Sequence, residues 1–470
     1  MSAVTARKPV AAPAPSLNAD QSAAVALLME AIDRGDPVCR LLGYAGTGKS
    51  FSVVRLLQRY AALRPVCLTG PTNKSASVLK GMAAELGGKA EASTIHKVLG
   101  LRPDVDEQRG RLVLKRFREP AIDQGALIVV DECSMVDSQL MRFIQQAASD
   151  ARAQVLYVGD PGQLPPIFEA QSPAFTGAGV IARLTQIVRQ KADHPILGMT
   201  QQIRDALNGG PVPRFETRHS SDGSLLHLDA IEFQTALISV MKSKRYRADP
   251  DYARVLTWTN SKTESYNDLI RRALLGKSAD KQCLLPGETV VACSPILDMK
   301  ISIGDMVTVV NAEQDSHLGI PCVKATIAAN GKQGDVYVVR PQGREMYKEK
   351  VTALVKAANA LQSAYNDARN GNRLDQYPQL EDKRRKAAWR EFFTFKDEAF
   401  ADLRPIHATT VHRSQGSTYE KVFVDLTDIG RNTRRDVLLR LLYVALTRSR
   451  GDVIVTGELP DRLYKDSHDE

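Results

Sequence analysis

Eight residues near the start of the chain have the spacing to hold a row of phosphates: Gly43-Tyr44-Ala45-Gly46-Thr47-Gly48-Lys49-Ser50 fits the pattern G-x-x-x-x-G-K-[ST]. Glycines let backbone N–H groups turn inward around anionic oxygens, so Gly46, Thr47 and Gly48 would bind through the main chain. Lys49 supplies a mobile cation for the outer two phosphates of ATP, and Ser50 a hydroxyl that can ligate Mg2+. Chance would produce this pattern in a chain of this length on the order of one time in a hundred. Further on, the apolar run from Ala126 to Val130 ends in Asp131-Glu132. A buried strand that delivers two carboxylates at its carboxyl end suits hydrolysis, with Asp131 holding the Mg2+ shell and Glu132 orienting the attacking water or taking its proton. An isolated Asp-Glu pair is usually a solvated loop, but the apolar residues before this one argue against that.

Such chemistry needs a scaffold that gathers several loops on one edge. From Asn18 to about Gln190, helical periodicity alternates with apolar runs at Arg40–Leu42, Pro65–Leu68, Ala126–Val130 and Val155–Val158, the rhythm of a parallel sheet with crossover helices. Ligands bind where the carboxyl ends of such strands open into loops. A second region of the same character begins at Arg254–Asn260, breaks off, and resumes from His407 through Val422–Asp425. The break carries β-like runs at Thr289–Val291, Met306–Val310 and Val336–Val339, separated by turns such as Asn330-Gly331, which predicts a small inserted β-barrel. Residues 350 to 400 read as helical, and the aromatic set Trp389, Phe392, Phe393 and Phe395 predicts a helix face packed on that barrel. Between Gly100 and Pro120, charged residues surround Leu112, Val113 and Leu114, predicting a protruding β-hairpin. The expected division is a flexible tail over 1–15, a first α/β domain over 16–210 with its 100–120 hairpin, a second over 211–282 and 401–470, and the barrel with a helical extension over 283–400.

At 470 residues, with 43% hydrophobic and 25% charged, the chain can bury several cores and is neither disordered nor fibrous. A formal charge of +9 and a pI of about 9.1 suit a polyanionic partner such as nucleic acid. The six cysteines form no C-x-x-C pair and no Cys/His cluster, so free thiols in a reducing compartment are expected. No apolar run reaches the roughly 18 residues of a membrane span, and the first fifteen residues lack the apolar core of a signal peptide. The expectation is a cytoplasmic protein, with no membrane partner, of a bacterial or phage-infected cell.

Asp131-Glu132-Cys133-Ser134-Met135 and Val158-Gly159-Asp160-Pro161-Gly162-Gln163 resemble motifs II and III of superfamily 1 helicases, and the other motifs of that superfamily follow in order. Thr69 to Lys74 resembles motif Ia, Ser93 to His96 the next DNA-contact motif, Leu184-Thr185 to Arg189-Gln190 motif IV, Thr409 to Gly416 motif V and Leu442 to Arg450 motif VI. The chain is most similar to the RecD-like, 5'-to-3' branch, and within it to Dda-like helicases.

The resemblance implies two RecA-like P-loop domains in an α/β fold, a monomer that hydrolyses ATP with Mg2+, translocates on single-stranded DNA and unwinds duplex at a fork. It also implies contact with a single-strand-binding protein or with replication and recombination proteins. Gln163 would sense the γ-phosphate, while Arg189 and Arg448 would reach in to neutralise charge developing there. Gly416 would join the nucleotide contacts, and Gln21 would contact adenine; the N-x-x-Q spacing of Asn18 to Gln21 also fits a helix cap, and the two roles are compatible. Pro71, Thr72, Thr94, His96, Asn260, Thr410 and His412 would hold the phosphates and bases of the strand without reading sequence. The alternative activity is a translocase that displaces proteins from single strands without processive unwinding.

Overall fold

The computed structural model describes residues 16–86, 90–106, 111–166, 169–188, 194–370 and 382–464. In chain order the first half runs β1 (Val38–Gly43), β2 (Val66–Gly70), β3 (Ala90–Thr94), β4 (Leu101–Asp106), β5 (Arg111–Arg116), β6 (Leu127–Val130), β7 (Gln154–Gly159) and β8 (Val180–Leu184). All but β4 and β5 join one parallel sheet, ordered β3-β2-β6-β7-β1-β8. The apolar runs of the sequence are its inner strands, and β6 shows why they are continuous. Leu127 and Val129 enter a core with Leu28, Leu56 and Leu57, while Ile128 and Val130 enter another with Ile144 and Tyr157, so both faces are covered. Arg40 on β1 is buried but fully used, donating to the carbonyls of Ala174, Thr176 and Ala178. β4 and β5 pair antiparallel as a separate ribbon between β3 and β6.

The second half runs β9 (Arg218–His219), β10 (Ser224–Leu228), β11 (Ala253–Thr257), β12 (Thr289–Ala292), β13 (Met306–His317), β14 (Ile320–Ala329), β15 (Lys332–Val339), β16 (Leu403–Pro405), β17 (Ala408–Thr410), β18 (Tyr419–Asp425) and β19 (Ser449–Thr456). A second sheet, ordered β17-β11-β18-β19-β10-β9, is parallel except at β9. Packing divides the molecule earlier than residue 210. Ile196, Met199 and Ile203 of the helix Pro195–Leu207 share a core with Leu438 and Leu442 of the helix Arg435–Thr447 and with Val424 and Val453 of this second sheet.

Between β11 and β17 lies an antiparallel sheet ordered β15-β14-β13-β12-β16. Its edges meet where the Ala401 N–H donates to Tyr337 O at 2.8 Å, so it is a nearly closed barrel. Two tight turns set its register: Leu318-Gly319 and Asn330-Gly331 both take positive φ at consecutive residues. A buried ion pair fastens it to the second domain, with Arg271 of the helix Asn260–Leu275 donating to Glu288 at 2.5 and 3.0 Å. The aromatic set departs from expectation. Trp389 and Phe392 pack on Val351, Leu354 and Ala358 of the 27-residue helix Arg344–Asn370, and only Phe395, with Phe400, reaches the barrel at Ile320 and Cys322. A second helix was available to bury those rings, so the barrel did not have to. The six cysteines are free thiols, and no helix among the described residues is long and apolar enough to cross a membrane.

Candidate active site

β1 ends at Gly43, and the chain turns through Gly46 and Gly48, with φ of 82° and 81°, into the helix Lys49–Tyr60. A Cβ is costly in that left-handed region, and at Gly48 it would also lie 2.3 Å from Gln21 Nε2. The Thr47 hydroxyl closes the loop by donating to Tyr44 O at 2.9 Å. Gln21 holds the loop from outside. Its Oε1 accepts from the Asn18 N–H at 3.1 Å, completing the helix cap, and its Nε2 donates to Thr47 O at 3.1 Å. Lys49 Nζ donates to the carbonyls of Gly43 and Tyr44 at 2.7 and 2.9 Å. Ser50 is exposed in the first turn of the helix, where free N–H groups favour anions.

β6 brings Asp131 and Glu132 to the same edge. Glu132 takes φ of 49°, a left-handed conformation that costs a non-glycine residue about 1–3 kcal/mol and recurs at functional sites. Its N–H donates to Asp131 Oδ1 at 2.9 Å, and its Oε2 accepts from Gln163 Nε2 at 3.0 Å. Burial, then the neighbouring Glu132, push the Asp131 carboxyl up to about 7, while the Lys49 ammonium pulls the other way. A cation would relieve this crowding of negative charge. The hydroxyl and carboxylate oxygens of Ser50 and Asp131 are the hard donors Mg2+ takes alongside phosphate.

The second domain reaches this edge through several side chains. Tyr443 donates to Asp160 Oδ2 at 2.7 Å and accepts from the Ala45 N–H at 3.0 Å. Arg440 Nη1 donates to Pro161 O and Gln163 O at 2.6 and 2.8 Å, and Gln415 Nε2 lies 3.5 Å from Gln163 Oε1. Arg448 is buried, yet it donates to Val444 O, Ser417 O and Thr447 Oγ1 at 3.2 to 3.4 Å, all on its own domain. Lys49, Asp131, Glu132 and Gln163 therefore converge, whereas Arg448 stands back and Arg189 lies outside the described residues. Sequence reasoning passed over Tyr443, Asp160, Arg440 and Gln415. The available signal is Arg440 and Tyr443, two polar residues one turn apart in the otherwise apolar run Val437–Leu446.

A cavity of about 1990 Å³ is lined by Thr72, Asn260, Thr410, His412 and Arg413 and, from the barrel, by Ile303, Gly304 and Met306. Asn73 Nδ2 approaches Ile303 O at 3.4 Å, linking the first domain to the barrel across it. Pro71 sits in the bend before the helix Asn73–Leu86, next to Thr72. Thr94 and His96 do not line this cavity. The Thr94 hydroxyl caps the helix Ile95–Val98, accepting from the Lys97 N–H at 3.3 Å, and burial lowers the pKa of His96. Gly416, expected at the nucleotide, faces Thr72 and Ser75 instead. A Cβ there would lie 3.7 Å from Thr72 Oγ1, because the turn after β17 brings this glycine over the motif Ia loop.

Residues 16–217 match the AAA domain family and residues 405–456 the UvrD-like helicase C-terminal domain. Among curated relatives, the ATP-dependent DNA helicase dda of Enterobacteria phage T4 is 23% identical, with 93% of this chain and 98% of that protein aligned. The ATP-dependent RecD2 DNA helicase of Deinococcus radiodurans is 32% identical over 46% of this chain and 27% of its own length. Among solved structures, a Bacteroides Pif1 helicase with ADP-AlF3 and single-stranded DNA is 16% identical, covering 97% of this chain and 95% of its own, at a TM-score of 0.48.

Proposed function

We propose that this chain, whose matches are to superfamily 1 helicases of the RecD-like and Pif1-like kind, is an ATP-driven motor that moves 5'-to-3' along single-stranded DNA and unwinds duplex ahead of it. The observation that carries the reading is the position of Gln163. Its amide holds Glu132 at 3.0 Å, its carbonyl oxygens face Gln415 and Arg440 of the other domain, and its loop follows β7 beside the phosphate loop. A change at the phosphate is thereby felt across the cleft.

In this mechanism the incoming triphosphate takes the place of the Gly43 and Tyr44 carbonyls on Lys49. Glu132, oriented by Gln163, accepts the proton of the attacking water. Ser50 and Asp131 would hold Mg2+, which would supply neutralisation of phosphate charge. Closing the cleft brings Arg189 and Arg448 to the γ-phosphate, which requires Arg448 to exchange the carbonyls of Val444 and Ser417 for phosphate oxygens. Closure shifts Thr72 relative to Asn260, Thr410 and His412 in the groove, and alternating grip becomes movement. Splitting duplex costs only about 1.4 kcal/mol per base-pair step, and the β4–β5 ribbon is the element proposed to meet the fork. Such an enzyme would act in the cytoplasm, on DNA and alongside single-strand-binding protein. Strand displacement on substrates with only a 5' or only a 3' tail tests the reading: unwinding of the 5'-tailed substrate is expected, and unwinding solely of the 3'-tailed one overturns the polarity.

A further inference from the structure

We propose that Tyr443 is a positioning residue that ties the phosphate loop to the second RecA-like domain through one hydroxyl shared between Ala45 and Asp160. The inference rests on the motor reading above and deepens it, by naming the contact through which that domain registers the loop. The hydroxyl sits at the meeting of three segments. It accepts from the Ala45 N–H at 3.0 Å and donates to Asp160 Oδ2 at 2.7 Å, while Asp160 Oδ1 accepts from the Gly162 N–H at 2.8 Å. Tyr443 and Asp160 are both fully buried, so a lost bond there is not replaced by water. The loop after β7 is shaped to admit the ring: a Cβ at Gly162 would come 3.0 Å from Tyr443 Cε1.

The neighbouring residue of the phosphate loop is gripped from the same side. The Arg204 guanidinium lies 4.3 Å from the centre of the Tyr44 ring and 6.0 Å from that of Tyr443, and the two tyrosine rings meet edge to face at 6.3 Å. Arg204 stands on the helix Pro195–Leu207, which packs in the core of the second domain. Tyr44 and Ala45, the residues just after β1, are thus held by that domain while Lys49 and the left-handed glycines face the phosphates. A rearrangement of the loop around phosphate loads the helix Arg435–Thr447 through Tyr443, and Arg448 lies five residues on, about 7.5 Å along a helix axis at ~1.5 Å per residue. The ring alone could fill this space in a purely structural role. The hydroxyl is what reaches both the loop and Asp160.

Tyr443→Phe keeps the ring and removes that contact. In the full-length protein, the kcat of single-strand-stimulated ATP hydrolysis is expected to fall about tenfold, the equivalent of one buried hydrogen bond, with little change in KM for ATP. Base pairs opened per ATP should fall as well. Asp160→Asn should lower the same two quantities, and the double variant should be no worse than the more affected single one, since both cut one path. A merely structural role would lower the thermal midpoint and the active fraction but leave the yield per ATP intact. Unchanged kcat and yield in Tyr443→Phe overturn the inference while the motor reading stands. Should that variant not fold, the same absence of effect in Asp160→Asn overturns it. Wild-type protein whose ATP hydrolysis ignores DNA overturns both.

Discussion

The phosphate cradle and the groove behind it are built on opposite plans. The cradle is made of nearly consecutive residues. The Thr47 hydroxyl, the Gln21 amide and the Lys49 ammonium are each held by a partner within the first domain, while Tyr44 and Ala45 are met from the second. The groove is made of Thr72, Asn260, Thr410 and His412, drawn from two domains and roofed by a barrel loop whose one polar link to the first domain among the described residues is Asn73 to Ile303 at 3.4 Å. A compact, densely charged ligand needs donors fixed in advance, because reorganising them costs what binding gains. A polymer can be gripped by scattered contacts that are individually weak. Damage to the cradle should therefore be close to all-or-none, and damage to the groove graded.

The strongest way to break that contrast is at Lys49 and Glu132. Lys49→Ala should abolish DNA-stimulated ATP hydrolysis, by about 10³-fold or more, as loss of a preorganised charge in a dry site does. Glu132→Gln should lower kcat by about 10²–10⁴ while nucleotide binding, read by fluorescence of a labelled ATP analogue, persists. Hydrolysis by Lys49→Ala within tenfold of wild type would place the chemistry elsewhere.

A buried ion pair offers the next largest effect. Arg271→Ala leaves Glu288 inside without its cation and should cost about 3–5 kcal/mol of stability, seen in urea melts. Because this pair anchors the barrel and not the cradle, weakened single-strand binding with nucleotide affinity retained is the expected pattern. Equal loss of both would erase the contrast between cradle and groove.

What could be read beforehand follows the same division. The inner strands β1, β2, β6 and β7 were legible because burial on both faces makes them apolar without interruption. β3, with the sequence Ala90-Glu91-Ala92-Ser93-Thr94, is an edge strand that carries no such run, whereas β8, the other edge, has only the short apolar run Val180-Ile181-Ala182 before Arg183. β14 carries no such signal because Pro321 and Lys324 break its apolar pattern, although its alternate residues Val323, Ala325 and Ile327 are buried in the barrel core. The convergence of Lys49, Asp131, Glu132 and Gln163 was legible since each sits on a loop leaving the same sheet edge. Chain order alone assigns the helix Pro195–Leu207 to the first domain, but its packing partners lie in the second. Tyr443 was hidden because a motif singles out its arginine, whereas the tyrosine matters only through residues roughly 280 and 400 positions away.

Acidity offers a finer probe of the cradle. Asp131 titrates near 7, above the ordinary carboxylate value of about 3.9. Its folded form is protonated where the unfolded chain is already ionised, so its contribution to stability is present at low pH and is lost as pH rises from about 4 towards 7. Cation binding wants the opposite state. At limiting Mg2+, ATP hydrolysis should rise with pH and level off above about 7, and excess Mg2+ should move the midpoint down by holding the ionised form. Asp131→Asn should remove that step, and a midpoint indifferent to Mg2+ would separate Asp131 from the metal.

The smallest effects belong to the groove, where they are also the most discriminating. Thr410→Val and His412→Ala each remove one short donor and should weaken single-strand binding by about 1 kcal/mol, roughly fivefold, without altering the dependence on salt. Arg413 lines the same cavity as a cation, and Arg413→Ala should reduce the slope of log affinity against log salt by about 0.7. The difference in slope separates contacts that orient the strand from contacts that release its counterions. If Thr410→Val changed the slope as much as Arg413→Ala, the effect would be one of lost shape shared by the whole groove, and grip would be concentrated there as firmly as it is around the phosphates.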